Sequence, residues 1–456
     1  MSEALLWAPR AWIGGRWRER VLLGVGSDGC WTRIDPETPA PLQATVLPGP
    51  VLPGQADAHS HAFQRAFAGM AERRTSEQDD FWSWRDRMYG VALRITPEQL
   101  KAVATQLYRE LLAGGYTQVC EFHYLHHATD GRRYGDPLAM SRALADAAVE
   151  AGIGLTLLPV LYERAGFTQP ALRDDQRRFA TTVEELLAMR DGIRTWRLPQ
   201  VDAGVAIHSL RAAAPASIQT LAHALDGDAA PIHIHIAEQT AEVDDCVAAT
   251  GARPIEWLLR ELPIDERWQL VHATHATPAE IDGVAHRGAG VVICPSTEGN
   301  LGDGFCDLPR WLASGAPLST GTDSHVGRAL NEELRWLEYG QRLRLQQRNV
   351  AAQPGASDGA TAARLFDRTL AGGAAAAGFG RWGLEVGARA DLAVLDDSAA
   401  GVAGVPGSHM LDAWVFATNG TAVRETWVSG RRRWRANDRH ESAEDAFRDA
   451  MQALWR

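Results

Sequence analysis

Lysine is all but missing. The chain has 456 residues and 46 lysines and arginines together, of which Lys101 alone is lysine. Any mechanism that needs a lysine must use that one or do without. Cysteine is sparse as well: Cys30, Cys120, Cys246, Cys294 and Cys306 follow no paired spacing. Their scatter argues against a thiolate zinc cluster and suits a reducing cytoplasm. No apolar run is long enough for a spanning helix, and nothing reads as a signal peptide, so no membrane partner is expected. A net charge of −11 argues against a nucleic-acid partner, yet it leaves room for a small acidic molecule in a local basic pocket.

What is present is an alternation. From about residue 50 to 330, strand-like apolar runs (51–58, 116–122, 154–161, 203–208, 231–236, 268–273, 289–294 and 316–322) are separated by helical stretches. The helical stretches include Pro97 to Ala113, Pro137 to Ala151, Pro215 to Leu225, Thr240 to Thr250 and Pro278 to His286, with start signals at Thr96, Asp136, Ala214, Gln239 and Thr277. Eight strands alternating with helices predict a closed parallel (β/α)8 barrel, an α/β fold of the TIM type. Both ends of the chain read as β: Ala11-Trp12-Ile13, Arg20 to Leu23 and Ala44 to Val46 at one end, Asp391 to Leu395, Asp412 to Phe416 and Arg424 to Val428 at the other. These are expected to join into one small β-sandwich. The division is therefore 1–48 and 388–456 for that unit, with 49–387 for the barrel. The stretch from Ala351 to Ala363 reads as a loop, and Glu441 to Arg456 as an amphipathic helix with Ser442 and Asp445 in a capping box.

The chemistry gathers at the strand ends. His59-Ser60-His61 closes the first run, and strand side chains repeat every two residues, so both imidazoles project to one side. His235, His272 and Asp323 close the fifth, sixth and eighth runs. Catalytic groups of a (β/α)8 barrel lie at the C-terminal strand ends, so these five side chains are predicted to converge on one metal site. One such histidine alone reads as a buried structural residue; five such groups, four histidines and Asp323, at strand ends do not. His233 shares the parity of His235 but sits a layer deeper, in the barrel core.

Pro53-Gly54-Gln55-Ala56-Asp57-Ala58-His59-Ser60-His61, His235-Ile236-Ala237-Glu238, His272 and Thr322-Asp323-Ser324 resemble the amidohydrolase superfamily, in particular its deaminase branch. The resemblance implies one Zn2+, or Fe2+, held by His59, His61, His235 and Asp323. It also implies a homodimer. The binuclear branch bridges two metals through a strand lysine. Lys101 falls in a helix and the fourth strand run has none, so a single ion is expected. Bound zinc brings the pKa of water to about 7. Glu238 is then the proton shuttle, Asp323 orients the attack as well as ligating, and His272 polarises the carbon–nitrogen double bond.

Substrate choice rests on the loops. Gln64 and Arg65 follow the histidine pair, and a long segment from Asp79 to Tyr89 carries Trp82, Trp84, Arg85 and Arg87. Tyr124 and His208-Ser209-Leu210-Arg211 stand at other strand ends. Arginines at two separate points of the mouth suit a small-molecule ligand with two carboxylates, because guanidinium forks match carboxylates. These stretches resemble members of the branch that act on formimino compounds. On that resemblance Arg85 and Arg211 hold the carboxylates, while Gln64, Tyr124 and His208 complete the pocket; Arg87 could stand in for Arg85 in another helical register. The alternative is a nucleobase such as guanine.

Overall fold

The computed structural model describes residues 3–74, 81–356 and 359–456. Asp79 and Asp80 of the long first connecting segment, the side chains of Phe81 and Trp82, and residues 357–358 of the loop expected after Ala351 lie outside the described residues.

Eight strands form the barrel: Gln55–Ser60, Tyr116–His123, Gly154–Leu161, Val205–Ser209, Ile232–Ile236, Trp268–His272, Gly290–Ile293 and Leu318–Thr320. They pair in sequence order and all in parallel. A bridge between Ser60 and Asp323 brings the last strand end back to the first. Buried on both faces, these strands read as apolar runs rather than alternating ones. Helices wrap the outside, started by local chemistry. Thr96 accepts the N–H of Gln99, whose side chain returns to the Thr96 backbone, and this capping box opens Pro97–Ala113. Thr277 and Glu280 open Pro278–His286 in the same way. Lys101 lies on the outer face of its helix, paired with Glu150 at 2.9 Å, so it is remote from any strand end.

The two chain ends meet in one mixed sheet of eight strands. Its path runs Arg431–Arg435, Val423–Val428, Leu392–Leu395, Val51–Pro53, Ala4–Ile13, Arg16–Val25 and Trp31–Asp35, with Thr45–Val46 beside Ala4–Ile13. Leu6, Val21, Leu23, Trp31, Leu392 and Val394 are among its own buried cluster.

Four local expectations change. The run 51–58 is two strands, because Val51–Pro53 pairs with Leu392–Leu395 before the chain turns at Gly54 into the barrel. At Gly54 a side chain would meet Thr117 Oγ1 at 2.4 Å. Asp412 to Phe416 is not a strand but part of the helix Met410–Ala417, which buries Met410, Leu411, Trp414 and Val415. So short an apolar run fits either period, and its packing decides. The helix expected from Pro137 starts at Ala139, with Asp136 accepting the N–H of Leu138 just before it. The last helix, Glu441–Trp455, forms no Ser442 capping box; His440 stands at its start without a side-chain bond, and Asp445 pairs with Arg448 at 2.7 Å.

Candidate active site

His59, His61, His235 and Asp323 meet at the C-terminal mouth of the barrel. Nε2 of His59 lies 2.9 Å from Nε2 of His235 and 3.5 Å from Oδ1 of Asp323, which is 3.4 Å from Nε2 of His61. Hydrogen bonds behind the rings fix what faces inward. Nδ1 of His61 donates to the Phe122 carbonyl and Nδ1 of His235 to the His208 carbonyl, both at 2.9 Å. A carbonyl only accepts, so both neutral rings must present the bare Nε2 lone pair to the centre. All three imidazoles are held below their ordinary pKa, first by burial; neighbouring imidazoles depress His59 and His235 further, while Asp323 partly offsets the effect at His61. Neutral nitrogens and a carboxylate, packed this closely and buried, fit the donor set of a divalent zinc-type ion.

The backbone is bent to aim these groups. Ala237, His272, Ala273, Asp323 and His325 all have positive φ, between 47° and 69°, at the ends of strands five, six and eight. Non-glycine residues in this region carry strain, and such residues cluster at functional sites. Carboxylates hold the strand ends in place. Asp57 accepts the backbone N–H and hydroxyl of Thr322 at 2.8 and 2.6 Å, tying strand one to strand eight. Glu121 accepts from the Ser60 hydroxyl and the Ala62 N–H at 2.6 and 2.7 Å, bracing the turn that carries His61.

Beside this cluster lies an acid–base group. Nε2 of His272 is 3.7 Å from Glu238 Oε1 and 3.8 Å from Asp323 Oδ2, and its Nδ1 is 3.3 Å from Glu298 Oε1. Burial alone would depress this imidazole, but Glu238, Glu298 and Asp323 outweigh it and hold it up to about 10. Burial pushes the Glu238 carboxyl above its ordinary value, while the His272 charge pulls it back. Asp303 joins them, with a carboxylate oxygen within 4.8 Å of both Glu238 and His272. Its other neighbour is the Gln239 side-chain amide. Glu242 accepts the N–H groups of Ala237 and Glu238 at 3.2 and 3.0 Å, setting the backbone from which Glu238 projects.

The cleft above is lined by Gln64, Arg85, Tyr124, His208 and Arg211 together with His61, His235, Glu238, His272 and Asp323. Every side chain expected at the site therefore borders it except His59, which is fully buried. Gln64 donates to the Tyr124 hydroxyl at 3.1 Å. Arg85 rises from the helix Phe81–Ala92 with its guanidinium 5.6 Å from the Tyr89 ring, and Arg211 is nearly buried after strand four. Arg87 turns away and donates to the Ala71 carbonyl, and Arg65 is spent on an ion pair with Glu110 at 2.7 Å. His233 is a core residue bonded to the Ala376 carbonyl. His325 is buried against Thr322 and Ser60, behind the cluster. Trp84 packs edge-on against Phe67 at the cleft wall. Tyr162, Glu242, Glu298 and Asp303 were not anticipated. Tyr162 directly follows strand three and was legible as a strand-end residue; the three carboxylates sit in helical or loop sequence and carry no such signal.

A barrel with candidate metal ligands and a buried imidazole–carboxylate pair at its mouth fits one class of hydrolase: residues 50–433 match the model of the Amidohydrolase family, and the chain belongs to it. Its relatives narrow the picture. The chain is 46% identical over 452 residues to the formimidoylglutamate deiminase of Pseudomonas aeruginosa, covering 98% of each. It is 29% identical over 386 residues to the 5-methylthioadenosine/S-adenosylhomocysteine deaminase of Natronomonas pharaonis, covering 83% of this chain and 80% of that one. An amidohydrolase from Brucella melitensis superposes with a TM-score of 0.93 at 40% identity, covering 99% of this chain and 100% of that one. A zinc-bound adenosine deaminase from Xanthomonas campestris shares the fold, with a TM-score of 0.80 at 23% identity over 99% and 98% of the two chains. No helix among the described residues is long and apolar enough to cross a membrane.

Proposed function

We propose that this protein hydrolyses N-formimidoyl-L-glutamate to N-formyl-L-glutamate and ammonia, a step of histidine degradation. One observation carries the reading: two arginines, Arg85 and Arg211, face the same cleft as the imidazole–carboxylate cluster, in a chain 46% identical along its length to a formimidoylglutamate deiminase. Two guanidinium groups suit the two carboxylates of a glutamate and have no counterpart in a neutral nucleobase.

His59, His61, His235 and Asp323 would hold one ion, zinc with iron as the alternative. When bound, such an ion acts as a Lewis acid and makes water nucleophilic at neutral pH. The residues of the chain do the rest. Asp323 accepts a hydrogen bond that orients the attacking water towards the formimidoyl carbon. Glu238 takes a proton from that water and passes it to the departing nitrogen. His272, protonated and held by carboxylates, presents Nε2–H to the imino nitrogen and draws electron density from the carbon. Water adds across the C=N bond, the bond from carbon to the terminal nitrogen breaks, and ammonia leaves with the carbonyl formed behind it. Gln64, Tyr124 and His208 line the wall around the chain of the substrate.

Ammonia release from N-formimidoyl-L-glutamate, measured beside guanine and cytosine, tests the reading. Turnover of the first alone is expected. Release from a base with none from the amidine would overturn it.

A further inference from the structure

We propose that Glu298 is a positioning residue for this reaction: its buried carboxylate takes the Nδ1–H of His272 and fixes that ring with its Nε2 edge turned into the cleft. The inference rests on the deiminase reading above. Glu298 stands in the helix Pro295–Leu301, which follows strand seven, whereas His272 closes strand six. Its Oε1 lies 3.3 Å from His272 Nδ1 and 2.9 Å from the Cys294 N–H. Both residues are almost wholly buried.

The logic is one of donors and acceptors. An ionised carboxylate only accepts, so the proton of Nδ1 must point at Glu298. The far edge of the same ring faces two more carboxylates, Glu238 and Asp323, at 3.7 and 3.8 Å. The ring therefore stands between acids, tethered at Nδ1 and with its Nε2 edge turned to the cleft. His272 also sits at φ 69°, an orientation its own backbone does not favour, and the Glu298 contact is a tether that can keep the ring there.

A plain structural role competes with this one. Glu298 N–H donates to the Cys294 carbonyl while Oε1 takes the Cys294 N–H, which is a helix-start cap in its own right. Glu298→Gln separates the two, because its amide oxygen can still cap Cys294 while the negative charge beside His272 is gone. With N-formimidoyl-L-glutamate, E298Q is expected to melt near the wild-type temperature and keep KM, while kcat falls roughly 10- to 100-fold. In the background of His272→Asn the same change should cost less than about twofold, since a residue acting through His272 has nothing left to act on. An unaltered kcat in E298Q, or an equal loss with and without His272, overturns the proposal. Should E298Q fail to fold, or should the wild type release no ammonia, proton NMR of nitrogen-15 histidine-labelled protein decides, with Glu298→Asp as the second variant. A low-field ring N–H signal, lost in H272N and shifted in E298D, supports the contact. A spectrum indifferent to Glu298 refutes it, and a missing turnover in the wild type would count against the substrate reading alone.

Discussion

At the scale of single residues, the account divides labour between Glu238 and the two arginines. Glu238 lies three positions after His235, with Oε1 3.7 Å from Nε2 of His272. Glu238→Gln should leave the metal in place and lower kcat by about 10²- to 10⁴-fold; metal analysis beside steady-state kinetics checks both halves, and retained turnover would remove the shuttle role. Arg211→Met should raise KM for N-formimidoyl-L-glutamate roughly 10- to 100-fold, the worth of one charged hydrogen bond. Formamidine, which has no carboxylate, should be affected far less. Equal losses on both would make Arg211 a structural residue. Glu238 and Arg211 were legible because each follows a strand run at a position the barrel turns into its mouth, whereas Arg85 sits on the helix Phe81–Ala92. Glu298, Asp303 and Glu242 were not. Each is a lone acid in helical or loop sequence, and only the fold reveals that it is buried beside His272 or Glu238.

Elements hold this geometry through close contacts and buried charge. Strand eight passes so near strand one that a Cβ at Gly321 would lie 2.6 Å from Cβ of His59 and 2.9 Å from its backbone nitrogen. Gly321→Ala should therefore cost about 1–3 kcal/mol of stability and weaken metal retention together, measured by thermal melts with and without added zinc. The helix Leu330–Leu345 is pinned by Glu333, whose buried carboxylate accepts the Ser296 N–H and hydroxyl at 3.0 and 2.6 Å. Burial raises this carboxyl to about 8, which the two hydrogen bonds oppose. A raised folded-state pKa favours the native state below the unfolded value of about 4.3, and that contribution is lost as pH climbs through about 8. Glu333→Gln should flatten this decline between pH of about 4.3 and about 8, read from urea melts; an unchanged slope would mean the group is ionised throughout. Elements were legible where period and capping agreed, as in Pro97–Ala113 and Pro278–His286. They were misread where an apolar run was too short to show its period, as at Met410–Ala417, or where one run served two sheets, as at Gly54.

For the whole molecule, the scarcity of lysine and the closure of the barrel point the same way. The one lysine is spent on an outer ion pair with Glu150, so a lysine bridge between two ions has no residue to make it. Closure is what assembles the donors: His59 and Asp323 are 264 positions apart, yet Ser60 and Asp323 form a parallel β-bridge. Small β pieces from both chain ends join into one sheet, with Val51–Pro53 as the interior strand between them, paired to Ala4–Ile13 on one side and Leu392–Leu395 on the other. The most direct test of a single ion at that mouth is a titration of metal-free protein with zinc, following ammonia release from N-formimidoyl-L-glutamate. Activity should rise in proportion to zinc and break at about one ion per chain, and the same titration of His235→Ala should stay flat. A break near two ions, or full activity before any zinc is added, would contradict the account.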